Sequence, residues 1–145
     1  MAVEIGIQLF SVRNALAADP AATLNTLLQL GFSRMEGANH QAATDDGIGF
    51  GIRADFLSDL INDRGVSVIG CHINPLELDR LPRVLDFHQQ IGNPRIGCDI
   101  EFYPYGDVDY VKRRADFFNQ VGQLCAEREM EFYYHNHFQE YTLSA

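Results

Sequence analysis

The sequence is poor in basic residues, which disfavours a binding site for nucleic acid. Eleven Lys and Arg stand against twenty Asp and Glu, which gives a formal net charge of −9. A surface of this sign repels a phosphate backbone instead of releasing its counterions. We therefore expect no nucleic-acid partner.

Cysteine is scarce, and long apolar runs are absent. Cys71, Cys98 and Cys125 are odd in number and show no C-x-x-C spacing, and the first two stand in apolar surroundings. Such residues are typical of reduced core thiols in a cytoplasmic protein. Glu4 stands where a signal peptide would be basic, and no apolar run approaches the ~18 residues that cross a bilayer. We expect a cytoplasmic protein with no membrane partner.

Glycine separates segments of helical period from segments that read as strands. With 145 residues and 46% hydrophobic content, the chain is long enough for one domain, expected over residues 1–145. Apolar residues recur at helical spacing in four segments, 20–30, 53–64, 77–91 and 107–128. Short runs that are apolar on both faces predict five strands, at 3–10, 32–37, 66–73, 94–100 and 130–137.

The alternation of these elements predicts an α/β fold with a parallel sheet. Strand and helix alternate at intervals of roughly 30 residues, which is typical of repeated βαβ units. The count is five strands and four helices. A flavodoxin-like open sheet has the same count, but no glycine-rich phosphate loop follows the first strand.

Polar residues recur where each predicted strand ends, and ligands collect at the carboxyl ends of parallel strands. The residues are Gln8, Ser11 and Arg13, then Glu36, Asn39 and His40, then His72 and Asn74, then Asp99 and Glu101, and finally His135, Asn136, His137 and Glu140. The polar, glycine-rich interval 38–51 serves a site or is a flexible surface insertion.

Several of these residues have two interpretations. His72, on a buried strand, fits a hydrogen-bonded core residue as well as a ligand-contacting one. Glu36 and Glu101 fit helix-capping or solvated carboxylates as well as site residues. His88 lies within a predicted helix and is interpreted as a surface or core residue.

The fifth strand carries the most informative residues. Period-two alternation places Tyr133, His135 and His137 on one face of the strand. Two imidazoles with the Glu140 carboxylate supply nitrogen and oxygen donors that suit Zn²⁺, Mn²⁺, Co²⁺ or Fe²⁺. Three donors on one strand end do not complete a coordination sphere, so further ligands from other strands are needed.

Four stretches of the chain resemble a known family. They are Ile-Gly-Ile-Gln-Leu-Phe-Ser-Val-Arg near the start, Val-Ile-Gly-Cys-His on the third strand, Ala-Asp-Phe-Phe-Asn-Gln-Val-Gly-Gln-Leu-Cys on the last helix, and Phe-Tyr-Tyr-His-Asn-His-Phe-Gln-Glu-Tyr after it. This pattern resembles the sugar phosphate isomerase/epimerase group of the xylose isomerase-like TIM barrels. The resemblance covers essentially the whole chain.

The resemblance implies a function and a set of site residues. Members are (β/α)8 barrels that hold a divalent metal (Mn, Zn, Co or Mg) at their C-terminal mouth and move a proton between adjacent carbons of a ketose or keto-sugar. It implies that Glu140 and His137 are catalytic and bind the metal, with His135 the alternative imidazole. It further implies substrate contacts by His72, Glu36, His135 and Asn136.

The chain also departs from the family pattern. Family barrels take an aspartate, a histidine and a glutamate ligand from strands six to eight, and the predicted strands stop at the fifth. We therefore expect an incomplete (β/α)8 TIM barrel that binds a metal weakly or does not retain it. The segment Phe138-Gln139-Glu140-Tyr141 keeps the glutamate of the family's Asp-Phe-Glu-Phe and lacks its aspartate.

Three alternatives remain at this stage. The chain fits a catalytically inactive, truncated barrel that self-associates through exposed sheet edges. It also fits a related metal-dependent dehydratase or lyase that acts on keto-sugars. The apurinic-site endonucleases share the barrel, but the charge of −9 disfavours a DNA-cleaving mouth.

Overall fold

A computed structural model describes residues 3–99, 103–138 and 140 of the 145-residue chain. Its five strands form one parallel sheet in chain order. The strands are β1 (Gly6–Gln8), β2 (Arg34–Asn39), β3 (Ser67–Ile73), β4 (Arg95–Asp99) and β5 (Glu131–His135). The predicted α/β fold with five parallel strands is confirmed.

Helices connect the strands. They are α1 (Arg13–Ala18), α2 (Pro20–Gln29), α3 (Ala54–Arg64), α4 (Leu81–Gln90) and α5 (Val108–Ala126), and a 3-10 turn over Leu9–Val12 precedes α1. The prediction of four helices missed α1, and the strand predicted over 3–10 ends at Gln8. The physical reason is burial, because turning the chain after Gln8 places Leu9 and Leu16 in the core.

Local sequence signals begin and end the predicted helices. The Asp19 carboxylate accepts a hydrogen bond from the Ala22 N–H at 2.9 Å, and Pro20 occupies the first turn of α2. The Asp107 carboxylate caps α5 in the same way through the Tyr110 N–H at 2.8 Å. Helix α3 ends at Gly65, whose φ of 65° lies in the left-handed region.

The core lies between the helices and one face of the sheet. Strand residues Met35, Val68 and Ile96 are buried there with helix residues such as Leu57 and Leu85. All three cysteines are buried and free, as the sequence predicts, and burial raises the pKa of the Cys125 thiol to about 11. Among the described residues, no helix is long and apolar enough to cross a membrane.

The face of the sheet opposite to this core is the one we call the open face. The strand register sets Gln8 beside Glu36, Glu36 beside Gly70, and Gly97 beside Tyr133. Residues opposite one another in a sheet point to the same side, so these positions share the open face. It contains a cavity of about 510 Å³ lined by residues that include Gln8, Glu36 and Tyr133.

His88 is a core residue, which decides between the two interpretations of the sequence. The side chain is 0% exposed, its Nδ1 lies 3.0 Å from Asn93 Nδ2, and its ring packs edge-on against Phe87. Burial lowers the pKa of His88 to about 3. An unfolded imidazole titrates near 6.5, so only the unfolded chain takes up this proton between those values.

We predict that this histidine makes stability depend on pH. The depressed native pKa means that its contribution is fully present above about pH 6.5 and declines as the pH falls towards 3. The free energy of unfolding from this residue alone falls by about 1.4 kcal/mol per pH unit in that window. Urea unfolding at pH 7, 6 and 5 measures the slope, and His88→Gln should have a slope shallower by this amount. Equal slopes in both proteins would contradict the assignment.

Candidate functional site

Polar side chains from all five strands form one connected group, which we call the strand-end cluster. Most of its members lie at or next to the carboxyl ends of their strands, whereas Glu36 and Tyr133 lie near the middle of β2 and β5. Parallel strands bring their carboxyl ends to one edge of the sheet, which is why residues far apart in sequence meet there. The cluster consists of Gln8, Glu36, His72, Asp99, Tyr133 and His135.

Glu36 has three polar partners in the cluster. Its Oε2 accepts a hydrogen bond from Gln8 Nε2 at 2.9 Å, and its Oε1 accepts one from the Tyr133 hydroxyl at 2.6 Å. His72 Nε2 lies 3.4 Å from the same Oε1. The interaction with His72, aided by Tyr133 and Gln8, lowers the pKa of Glu36 to about 2 against the opposing effect of burial. The carboxylate is therefore ionised at neutral pH.

His72 joins the two sides of the cluster. It is only 2% exposed, and its Nε2 lies 3.2 Å from Nδ1 of His135. Its Nδ1 lies 4.0 Å from Asp99 Oδ2. His72 is thus a buried histidine whose close polar partners are Glu36, His135 and Asp99, as the interpretation as a hydrogen-bonded core residue predicts. Contact of His72 with a ligand stays a prediction.

Asp99 is a cluster residue that was not among the predicted site residues, although the sequence marks it at a strand end. It is 8% exposed, and its Oδ1 accepts a hydrogen bond from Asn74 Nδ2 at 3.3 Å. Its Oδ2 lies 3.8 Å from His40 Nε2. The signal that could have identified Asp99 was a carboxylate at the end of an otherwise largely apolar strand. Glu101, its neighbour in that prediction, lies outside the described residues.

His135 and His137 share one direction, as the period of the strand predicts. Their rings stack with centroids 4.6 Å apart and planes only 3° from parallel. Burial lowers the pKa of His135, and the neighbouring His72 and His137 lower it further, against the opposing effect of Glu36 and Asp99. His137 Nδ1 is buried and has no hydrogen-bond partner among the described residues.

Glu140 contacts a different side of β5. Its Oε1 accepts a hydrogen bond from the Tyr134 hydroxyl at 2.5 Å, and its Oε2 accepts one from the His137 backbone N–H at 2.7 Å. The Tyr134 ring packs on Phe118 of α5 at 5.5 Å, so these contacts tie Glu140 to the helix-covered side. Asn136, predicted to contact substrate, follows β5 and is exposed.

The described residues fit only part of a divalent-metal site. His137 Nδ1, which has no hydrogen-bond partner among them, and the Glu140 carboxylate are donors of the right chemistry three residues apart. Within ranges 3–99, 103–138 and position 140, however, no group of three or more His, Cys, Asp or Glu is placed to hold an ion. Two donors leave most of a coordination sphere to other ligands.

The polar interval 38–51 is built around Asn39 and borders a second cavity. Asn39 Nδ2 donates hydrogen bonds to the carbonyl groups of Asp45 at 2.8 Å and Gly47 at 2.9 Å. The interval is thereby closed into a compact loop against β2. Its cavity of about 270 Å³ is lined by residues that include Arg13, His40 and Phe50.

Comparisons with known proteins agree with this architecture. No protein-family model and no curated protein matches the sequence. The fold is similar to the crystal structure of a sugar phosphate isomerase/epimerase from Parabacteroides distasonis, with a TM-score of 0.75 and 18% sequence identity. The match covers 94% of this chain and 52% of that one, so the chain spans about half the length of the relative. The chain therefore has the fold of part of a TIM barrel.

Proposed function

We propose that the chain carries part of the active site of a sugar phosphate or keto-sugar isomerase/epimerase that transfers a proton next to a carbonyl group. The observation that carries this proposal is the strand-end cluster, in which His72 lies within hydrogen-bond reach of both Glu36 and His135. Similarity of fold to a sugar phosphate isomerase/epimerase supports the same class of reaction.

The chemistry of the cluster suits a polyhydroxylated substrate. Glu36 is an ionised acceptor, and His72 and Asn136 offer polar groups that can bind sugar hydroxyls. Enolisation needs a basic group within reach of the proton next to the carbonyl. The described candidates at the end of β5 are the imidazoles of His135 and His137 and the carboxyl group of Glu140.

Metal dependence is a separate part of the proposal. Glu140 and His137 would contribute donors to a divalent ion such as Mn²⁺, Zn²⁺, Co²⁺ or Mg²⁺. Such an ion polarises a carbonyl and its neighbouring hydroxyl when it is bound. The remaining ligands would have to come from groups beyond the described residues or from the substrate.

A specific observation favours the inert, self-associating alternative. Val3 and Ile5, which lead into the edge strand β1, are 89% and 69% exposed. Exposed apolar residues at an unpaired sheet edge favour pairing between chains. The keto-sugar lyase alternative shares the enolisation step and differs only in the loss of water that follows.

Solvent exchange tests the proposed reaction whichever product is formed. We expect the protein to incorporate one deuterium into D-fructose or D-fructose 6-phosphate in D₂O, at roughly tenfold or more above the protein-free rate. Mass spectrometry follows the exchange with Mn²⁺ and with EDTA, and EDTA should suppress it. A product lighter by one water would indicate the lyase.

Size-exclusion chromatography of the same sample supplies the control. Exchange at the protein-free rate with every metal, together with a stable dimer, would support the inert alternative and contradict the proposed function. Exchange that persists in EDTA would remove the metal from the proposal while retaining the isomerase chemistry.

A further inference from the structure

Tyr133 reaches across the sheet from β5 to β2. Its hydroxyl donates to Glu36 Oε1 at 2.6 Å, although the two residues are 97 positions apart in sequence and separated by two strands. The ring lies beside His72, with centroids 5.7 Å apart. The alternation along the fifth strand predicts which face Tyr133 lies on, but it does not predict the hydrogen bond to Glu36.

Two glycines provide the path for the ring. A Cβ at Gly97 on β4 would lie 2.7 Å from the Tyr133 carbonyl oxygen and 2.8 Å from two ring carbons. A Cβ at Gly70 on β3 would lie 3.0 Å from the hydroxyl oxygen. Glycine inside a strand often marks a close approach of this kind, since any side chain would occupy the space.

The hydroxyl is held as a donor to a carboxylate that faces a histidine. Burial, with the added effect of Glu36, raises the pKa of Tyr133 above its ordinary value, so the phenol keeps its proton. A tyrosine that only filled space would need some acceptor for its hydroxyl. Here the acceptor is the oxygen of Glu36 that also lies nearest His72 Nε2.

We propose that Tyr133 is a positioning residue, whose hydroxyl, carried over Gly97 and Gly70, fixes the Glu36 carboxylate against His72 and so sets the orientation of the His72 ring. The bond anchors one carboxylate oxygen while Gln8 anchors the other. With both oxygens held, Glu36 presents a fixed acceptor to His72. Its effect on turnover rests on the proposed function, whereas its effect on His72 does not.

Tyr133→Phe tests the role because it keeps the ring in place and removes only the hydroxyl. We expect the imidazole ¹H–¹⁵N signals of His72 to shift at pH 7, while those of the distant His88 stay in place. In the exchange assay kcat should fall about tenfold with KM changed by less than about threefold, as expected when a hydrogen bond to a charged group is lost. Tyr110→Phe, on α5, is the matched control and should change neither quantity.

Two further results decide the outcome. Unmoved His72 signals in a folded Tyr133→Phe protein would overturn the proposal, whatever the turnover. If that variant does not fold, Gly70→Ala takes its place, because the added methyl crowds the hydroxyl and should shift the same His72 signals. If the wild-type protein shows no exchange activity and Tyr133→Phe still shifts the His72 signals, the positioning role is upheld while the proposed reaction fails.

Discussion

Replacing Glu36 by Gln is expected to lower the rate of deuterium exchange by about a hundredfold or more. The carboxylate accepts hydrogen bonds from Gln8 and Tyr133 and lies against His72. An amide has one acceptor oxygen and carries no charge, so it cannot serve these partners together. Initial rates at saturating ketose measure the loss, and thermal unfolding confirms that the variant is folded.

Asp86→Asn is the matched control for this prediction. Asp86 lies on α4, where its exposed carboxylate is 3.1 Å from Arg128 Nη2. Such a surface pair contributes little, so the exchange rate should stay within about twofold. Equal rates in the two variants would show that the cluster around Glu36 has no part in the reaction.

Gly49→Ala is expected to destabilise the chain by about 3–5 kcal/mol, by combining backbone strain with a steric clash. Gly49 has a φ of 87°, which other residues rarely adopt. A Cβ there would lie 2.8 Å from the Ala38 carbonyl oxygen and 2.9 Å from the Asn39 Cα, and both are backbone atoms of β2. Calorimetry should show a fall in Tm on the order of 10 °C.

Gly51→Ala separates the two causes. Gly51 also has a positive φ, of 67°, but apart from its own chain neighbours no heavy atom of the described residues lies within 4 Å of the position of its Cβ. Its substitution adds strain alone, which amounts to about 1 kcal/mol. Equal losses of stability in both alanine variants would contradict the view that close packing against β2 stabilises this loop.

The sequence predicts the order of elements because its signals are local. The Asp19 side chain caps α2, and Pro20 fits its first turn. Gly65 ends α3 because it has no side chain to hinder a positive φ. Helix α1 was missed because the burial of Leu9 and Leu16 depends on the rest of the core, which no local window contains.

The site was predictable only in part. The ends of the predicted strands identify Glu36, His72 and His135, although Glu36 lies near the middle of β2 in the structure. The role of Tyr133 depends on two glycines from other strands, so only the pairing of β3, β4 and β5 shows it. Glu140 follows the end of β5, where alternation no longer dictates direction, and its contact with Tyr134 could not be read from spacing.

An amide ¹H–¹⁵N NMR titration with D-fructose 6-phosphate tests most directly whether the strand-end cluster is a sugar site, since it requires no turnover. The expected result is a saturable set of shifts centred on residues 36, 72 and 135 and their neighbours on β2, β3 and β5. Shifts confined to another part of the chain, or none at concentrations that saturate a typical ketose enzyme, would contradict the assignment of this cluster.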